Sequence, residues 1–588
     1  MKELHQVFSR QIFPFLQVFL LLILFLPFNL VSQNILSDHI IISFSVFIVA
    51  CLAAISIFMV TINKKILQVT ITDILAAYYF VYILLNAYVI RPIPVPDILK
   101  LRYLLVVLIY LSVRIMTNKE KNRGLTIIMV IGILEAIFIM LQACGLLESR
   151  HLLFKFTGSF FNPGLAGCFI ACSLCILIYY LVTVLQPLNK LFISAGTILL
   201  SCALILTNSR AGWLAAIIGI SYILWHSDNK LIRQVKLHLR NSFIPKIIII
   251  SIILSGMMFF YQYKKSSADG RLFIWKVCLE MIEDKPLTGH GAGTFRSKFP
   301  HYQAAFFTKK PNSDYAFVAG NPSTPFNEYL SVLVTQGLVG FTLLIIILLT
   351  LFMNRDITRK QKMKQAFLLT FCIFAFFSYP MEHYRTLILF PFFAALLPSK
   401  YIVTIHNQKI NFILFSIVFS GMYFSVKAIN EFSKLEQTYK LQHRMTTVEY
   451  EKIKYDIDLL ENYYTFVGYK LPDAEELKIV EDYVNLYPSS IGLCELGKKY
   501  KVKNNPNKAR EYFTFASNIN PSLITPYYEL FLVYQEEGNI NEMKEIGKKI
   551  LHHKIKEEST TSLKMKAYVK KILHNLQAPK KVLINKKN

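Results

Sequence analysis

Residues 163–185 read PGLAGCFIACSLCILIYYLVTVL, an apolar run with no charged side chain and long enough to cross the hydrocarbon core of a bilayer. Its apolar residues are continuous rather than alternating. Inside lipid only a helix or a closed barrel satisfies its own backbone, so the run reads as a helix. Comparable runs flank it on both sides, at about 13–31, 40–62, 72–90, 98–116, 124–146, 191–207, 211–225, 247–262, 331–353, 365–379, 385–398 and 410–427. The expected fold is therefore all-α, a polytopic membrane bundle of twelve to thirteen spans followed by a soluble helical domain. Composition agrees, because a 54% hydrophobic fraction and a mean hydropathy of +0.42 over 588 residues lie outside the soluble range.

Orientation follows from the cations, since Lys and Arg beside helix ends are retained in the cytoplasm. Alternate loops are basic: Lys64 and Lys65; Lys119, Lys121 and Arg123; Lys230, Arg233, Lys236, Arg240 and Lys246; then Arg355, Arg359, Lys360, Lys362 and Lys364. The opposite loops carry scattered cations such as Arg91, Arg210 and Arg385. The amino terminus is thus expected inside and, with an odd number of spans, the carboxyl-terminal domain outside. The first run has no small-residue cleavage site and reads as a retained span. Much of the net charge of +27 is topological in this way, and with no recognition module present nucleic acid is not an expected partner. Membrane lipid is. Most of the nine cysteines fall in apolar spans, no metal-ligand spacing occurs, and Cys278 and Cys494 have no neighbour in sequence to pair with.

Four regions are expected: helices in 1–262, a long outer loop at 263–330, further spans in 331–427 and a soluble domain at 428–588. The outer loop is far longer than the others on its side, and long ordered loops are usually functional. In the tail, Leu496, Gly497, Tyr500, Ala509, Phe513, Ala516 and Pro521 approach a tetratricopeptide pattern, and Leu530, Tyr534, Gly538, Asn539 and Met543 fall into register after a shift of about 34 residues. Each unit would be a helical hairpin that buries its apolar face by stacking on a neighbour.

Four segments carry candidate chemistry. Thr157-Gly158-Ser159-Phe160-Phe161-Asn162-Pro163-Gly164 enters a span from outside. Asn208-Ser209-Arg210-Ala211-Gly212-Trp213 lies between two spans, where an Arg is costly unless it faces a polar cavity or snorkels. Asp269-Gly270-Arg271-Leu272-Phe273-Ile274-Trp275 opens an expected amphipathic helix with its aromatics toward lipid. It leads to Pro286-Leu287-Thr288-Gly289-His290-Gly291-Ala292-Gly293-Thr294-Phe295, whose glycine-rich turn exposes amides to an anion unless it is a plain loop. Pro325-Phe326-Asn327-Glu328-Tyr329-Leu330 and Gly337-Leu338-Val339-Gly340 return the chain to the membrane.

In this order, and with Glu135, Gln142 and Ser378-Tyr379-Pro380, the segments resemble the superfamily of O-antigen ligases, O-antigen polymerases and O-linked oligosaccharyltransferases over about 124–398. The resemblance implies a GT-C-like, metal-independent glycosyltransferase with no cofactor, placed in a bacterial inner membrane with its terminal domain periplasmic. It implies a polyprenyl-diphosphate-linked glycan as donor and a lipid, glycan or protein acceptor. Arg210 and Arg271 match the family's diphosphate-binding arginines, and guanidinium forks suit phosphate oxygens. Many members have a His immediately before the Asn of the fourth motif; this chain has Phe326 there, which cannot act as a base. Glu328, with Asn327 beside it to orient the acceptor, or His290, His301 or His383, is then the candidate to take the acceptor's proton. Glu328 also suits a plain helix-capping role. A repeat-unit polymerase would use the same donor, and a lipid-linked glycan transporter or a non-catalytic scaffold remains open at this level.

Overall fold

The computed structural model describes residues 12–27, 35–62, 67–149, 151–183, 186–228, 232–234, 261–354, 357–397, 399–405, 408–554 and 559–577. In chain order its elements are α1 (Phe13–Phe25), α2 (Ser37–Ile62), β1 (Leu67–Thr70), α3 (Ile71–Leu85, extended by a π-helical turn Asn86–Ile90), α4 (Asp97–Ile115), α5 (Asn118–Ala143), α6 (Pro163–Thr183), α7 (Pro187–Leu206) and α8 (Arg210–Trp225). Next come α9 (Lys265–Asp284), α10 (Phe295–Lys309), α11 (Glu328–Phe352), α12 (Arg359–Phe377), α13 (Tyr384–Leu396), β2 (Tyr401–Ile405) and α14 (Gln408–Lys440). The tail holds α15 (Thr447–Ile453), α16 (Ile457–Val467), α17 (Asp473–Leu486), α18 (Ser490–Val502), α19 (Pro506–Ile519), α20 (Ile524–Glu536), α21 (Ile540–His552) and α22 (Thr560–Gln577).

Every expected span but one coincides with a helix, and that one, 247–262, falls almost wholly outside the described residues. Seven helices among the described residues are long and apolar enough to cross a membrane: Ser37–Ile62, Ile71–Ile90, Asn118–Ala143, Pro163–Thr183, Pro187–Leu206, Glu328–Phe352 and Asn411–Lys440. Phe13–Phe25, Arg210–Trp225 and Tyr384–Leu396 are apolar but shorter. The chain is an all-α multi-pass membrane bundle joined to further helices, and it folds as two compact units.

The first unit comprises 1–263, 286–293 and 326–441. Its centre is α6, packed on α5, α7, α8 and α12 and buried along most of its length, which is why its sequence is apolar on every face. Around this centre α2 packs on α4 and α14, α3 on α11, and α13 on α4. Basic-loop ends of the helices are closed by reciprocal capping boxes, Thr70 with Asp73, Thr117 with Glu120 and Thr358 with Gln361, each satisfying otherwise orphaned amides. At the same ends β1 pairs antiparallel with β2, Leu67 opposite Ile405 and Val69 opposite Val403.

The second unit comprises 264–285, 294–325 and 442–588, so the outer loop and the tail share one body. In the tail α17 packs on α18, α18 on α19, α19 on α20, α20 on α21 and α21 on α22, a succession of helical hairpins. The expectation that Phe273 faces lipid is corrected here. Phe273 is 1% exposed, with Phe306, Phe307 and Tyr315 around it at ring centroids of 5.1–5.2 Å, and the Trp275 indole donates to the Pro325 carbonyl at 3.0 Å. The loop buries its aromatics in a core of its own because α10 supplies partners that α9 alone could find only in lipid. Cys278 and Cys494 are buried free thiols, and burial pushes Cys494 up to about 12.

Candidate functional site

In the first unit the residues of the first and fourth motifs and of the Ser378–His383 turn meet at one end of the bundle. The turn entering α6 is fastened to α5 by two side chains. Gln142 Oε1 accepts from the Thr157 and Gly158 amides, both at 3.0 Å, and its Nε2 donates to the Gly158 carbonyl at 3.2 Å. Glu135 accepts from the Ser159 amide at 3.0 Å and from the Ser159 hydroxyl. Gly158 has φ +60°, and a Cβ there would lie 2.7 Å from a Glu135 oxygen, so only glycine permits this approach.

Glu135 has a second partner that the sequence reading passed over. Arg385, in the first turn of α13, is wholly buried, donates to Glu135 Oε1 at 2.5 Å and lies over the face of Phe160 at 3.7 Å. The only signal in the sequence is that each is a lone charge at or within an apolar run, costly in lipid, which does not say which partner it takes. Beside this pair the His383 ring packs on Phe160 at 5.0 Å and stacks on Tyr384 at 4.9 Å, while its Nδ1 accepts from the Arg385 amide at 3.4 Å.

The turn's last polar residue reaches the other motifs. Asn162 donates to the Tyr379 hydroxyl at 2.7 Å, and Tyr379 meets the Phe326 ring edge-on at 5.1 Å. Phe326 has φ +54°, a region that bulky residues rarely adopt and where His and Asn are enriched. The backbone at this position thus suits a His better than the Phe326 it carries. Asn327 caps α11, its Oδ1 accepting from the Tyr329 and Leu330 amides at 2.9 and 3.0 Å. Capping therefore falls to Asn327, and Glu328 reaches across instead to accept from the Met381 amide at 2.9 Å. The neighbouring Glu382 pairs with Arg102 of α4 at 2.5 Å. An acidic pair and one shared cation thus sit beside the Phe326–Tyr379 contact.

The glycine-rich turn closes a break in a membrane helix. Helix α11 breaks at Gly337, φ +68°, and its freed carbonyls are taken by this turn: the His290 amide donates to Val334 at 2.8 Å and the Gly291 amide to Thr335 at 2.9 Å. The turn's own carbonyls accept in return, Pro286 from the Leu338 amide at 2.8 Å and Leu287 from Val339 at 3.2 Å. Tyr82 closes the remaining carbonyl, Gln336, at 2.6 Å, and Arg91 and Asn86 hold the Gly289 and Thr288 carbonyls. Gly289 and Gly337 approach so closely that a Cβ on either would lie within 2.7 Å of backbone. Broken backbone at membrane depth is tolerated when protein satisfies it in this way. His290 is thereby buried at the break.

Arg210 opens α8 in the first unit, directly after Ser209, whose hydroxyl accepts from the Gly212 amide at 3.2 Å, and after Asn208 in the left-handed conformation. Arg271 lies in α9, in the second unit, half-buried. His301 also belongs to the second unit, where it stacks on Phe515 of α19 at 5.2 Å; burial and the nearby Lys298 lower its pKa. His301 thus packs with the tail.

Residues 195–345, from α7 through Arg210, the outer loop and the break in α11, match the family described as O-Antigen ligase. This match supports the O-antigen ligase superfamily and an O-antigen-ligase-type glycosyltransferase activity, with a lipid-linked glycan and an acceptor as the substrates the family implies. No curated protein matches the chain.

Proposed function

We propose, with the O-antigen ligase match as premise, that this membrane protein transfers a polyprenyl-diphosphate-linked glycan to an acceptor, as an O-antigen ligase or protein O-oligosaccharyltransferase does. The site faces the periplasm of a bacterial inner membrane, and the tail's hairpins form a tetratricopeptide-like domain on that side. The observation that supports this most is the meeting of Asn162, Phe326, Glu328 and Tyr379 from motifs far apart in sequence.

In the step itself the acceptor oxygen attacks the anomeric carbon, its proton passes to Glu328, and the glycosyl–phosphate bond breaks with its electron pair leaving on the diphosphate. Arg210 and Arg271 are the ligands of that leaving group. Their forked donors meet phosphate oxygens two at a time and stabilise charge as it develops. No metal takes part in this reading. Asn327 holds the helix terminus from which Glu328 projects, its Oδ1 being committed to the cap. Glu328 is preferred as base to His290, which lies at the α11 break, to His301, which stacks on the tail, and to His383, whose ring is packed between two aromatics.

Glu328→Gln tests the assignment. It preserves the side chain's shape and its acceptor oxygen for Met381, so protein level and helix content should hold while transfer from a lipid-linked donor in membranes is lost. Full transfer in that variant moves the role to His290, His301 or His383. Glycoconjugate profiling of a deletion strain then separates acceptors: loss of a lipopolysaccharide ladder marks lipid, loss of protein glycosylation marks protein, and shortened polymer marks a polymerase.

A further inference from the structure

We infer that the C-terminal hairpins serve this chain's own outer loop: they are the seat on which α10 docks, and through α10 they position α9 and the Arg271 it carries. The inference rests on the donor-binding role proposed above for Arg271. It makes Gln303, Ala304 and the helices beneath them positioning residues for glycan transfer.

The seat is a packed core. Ala304 of α10 is 5% exposed and belongs to one apolar cluster with Val480 of α17, Leu493 and Leu496 of α18, and Phe513 and Ala516 of α19. A small residue there lets α10 lie close against the hairpins. Gln303, 1% exposed, donates through Nε2 to the Ile519 carbonyl at 2.6 Å, which lies at the end of α19, and to the Gly320 carbonyl of the loop at 2.9 Å. His301 stacks on Phe515, Arg296 pairs with Asp458 of α16 at 3.0 Å, and the Tyr487 hydroxyl donates to the loop's Asn321 carbonyl at 3.0 Å. This surface of α16–α19 is therefore filled in cis.

From α10 the contact passes to α9. Phe273, two residues beyond Arg271, is held by Phe306, Phe307 and Tyr315, and Tyr302 donates to Asp284 at the far end of α9 at 2.7 Å. Arg271 thus belongs to the tail's body, although in sequence it lies between membrane helices. A guanidinium that must meet a diphosphate in a fixed orientation gains from such a mount, because misplacement by about 1 Å costs on the order of a hundredfold in rate.

The test uses the full chain in detergent or nanodiscs. Ala304→Trp should force α10 off the hairpins, whereas Ala304→Ser, which keeps the volume small, should not. Amide hydrogen exchange is followed across 295–309, across 265–284 and across 163–183, alongside donor KM and kcat. The expected result for Ala304→Trp is faster exchange in both loop helices, unchanged exchange in α6, a donor KM raised about tenfold, the effect of weakening one charged hydrogen bond, and a lowered kcat, because the same fork stabilises the leaving charge. Unchanged exchange in 295–309 overturns the seat. Faster exchange there with α9 and donor KM unaltered overturns the positioning role, and leaves the hairpins as a surface for a separate partner. Arg271→Ala is the control for the premise: normal donor KM in that variant refutes the diphosphate assignment, while the exchange data still decide the docking.

Discussion

Replacing Glu135 by Leu should strongly destabilise the membrane bundle. The carboxylate carries three partners, Arg385 at 2.5 Å and the Ser159 amide and hydroxyl, and Arg385 has no exposure to solvent. Taking away one member of a buried ion pair costs about 3–5 kcal/mol, and the abandoned Ser159 amide adds about 1–3 kcal/mol. Arg385→Met should cost less, about 3 kcal/mol, because Glu135 keeps Ser159. The double variant Glu135→Leu, Arg385→Met removes both charges together, and buried pairs replaced by apolar residues of similar volume are often near neutral. The Ser159 amide and hydroxyl are then left without this acceptor. At an effective dielectric of about 20 and about 4 Å between charge centres, the attraction alone is about 4 kcal/mol. The double-mutant cycle should therefore show a coupling of about 3 kcal/mol or more, read from unfolding of the purified protein in mixed micelles. Additivity within about 0.5 kcal/mol would refute the pair as the tie between α5, the turn before α6 and α13.

Phe326→His should express normally, because the left-handed backbone there tolerates His better than Phe. In the Glu328→Gln background it should restore transfer, and failure to do so separates position 326 from the acceptor. Arg210→Lys and Arg271→Lys should each raise donor KM, since loss of a charged fork costs about 1.5–3 kcal/mol and a point charge does not replace its geometry; wild-type KM in both ends the assignment. The docking of α10 should weaken in acid. His301 has a lowered pKa in the folded protein, so its contribution is whole above the unfolded value of about 6.5 and is lost as pH falls through the folded one. His553 of the same unit is lowered too, so His301→Phe, measured by exchange in 295–309 between pH 7 and about 5, isolates the first; unchanged acid sensitivity refutes the claim.

The helices of the bundle were legible because lipid imposes a length and a polarity on each segment separately. Residues 163–183 and 328–352 announce themselves without reference to their neighbours. Pairings across the bundle have no such local mark. Arg385 and Glu135 are separated by 250 residues, and each alone looks like an isolated charge near a helix. Glu328 was legible as a polar residue at a helix start, yet its partner, the Met381 amide, is backbone, and sequence carries no record of which amide faces which carboxylate.

The glycine-rich turn and the outer loop mark the same limit from the other side. Glycines that expose amides look alike whether the amides wait for an anion or close a broken helix, and what decides is the carbonyl opposite. Here the carbonyls of Val334 and Thr335, freed because Gly337 leaves the helical conformation, occupy the amides of His290 and Gly291. The aromatics of 273–275 likewise suit lipid or protein equally well, since burial of an apolar ring is indifferent to what excludes the water. The choice was made by α10, whose Phe306 and Phe307 cover Phe273 on one side and whose Ala304 fits the hairpins on the other. A helix with two apolar faces needs two partners, and α10 finds one in α9 and the other in the chain's own tail.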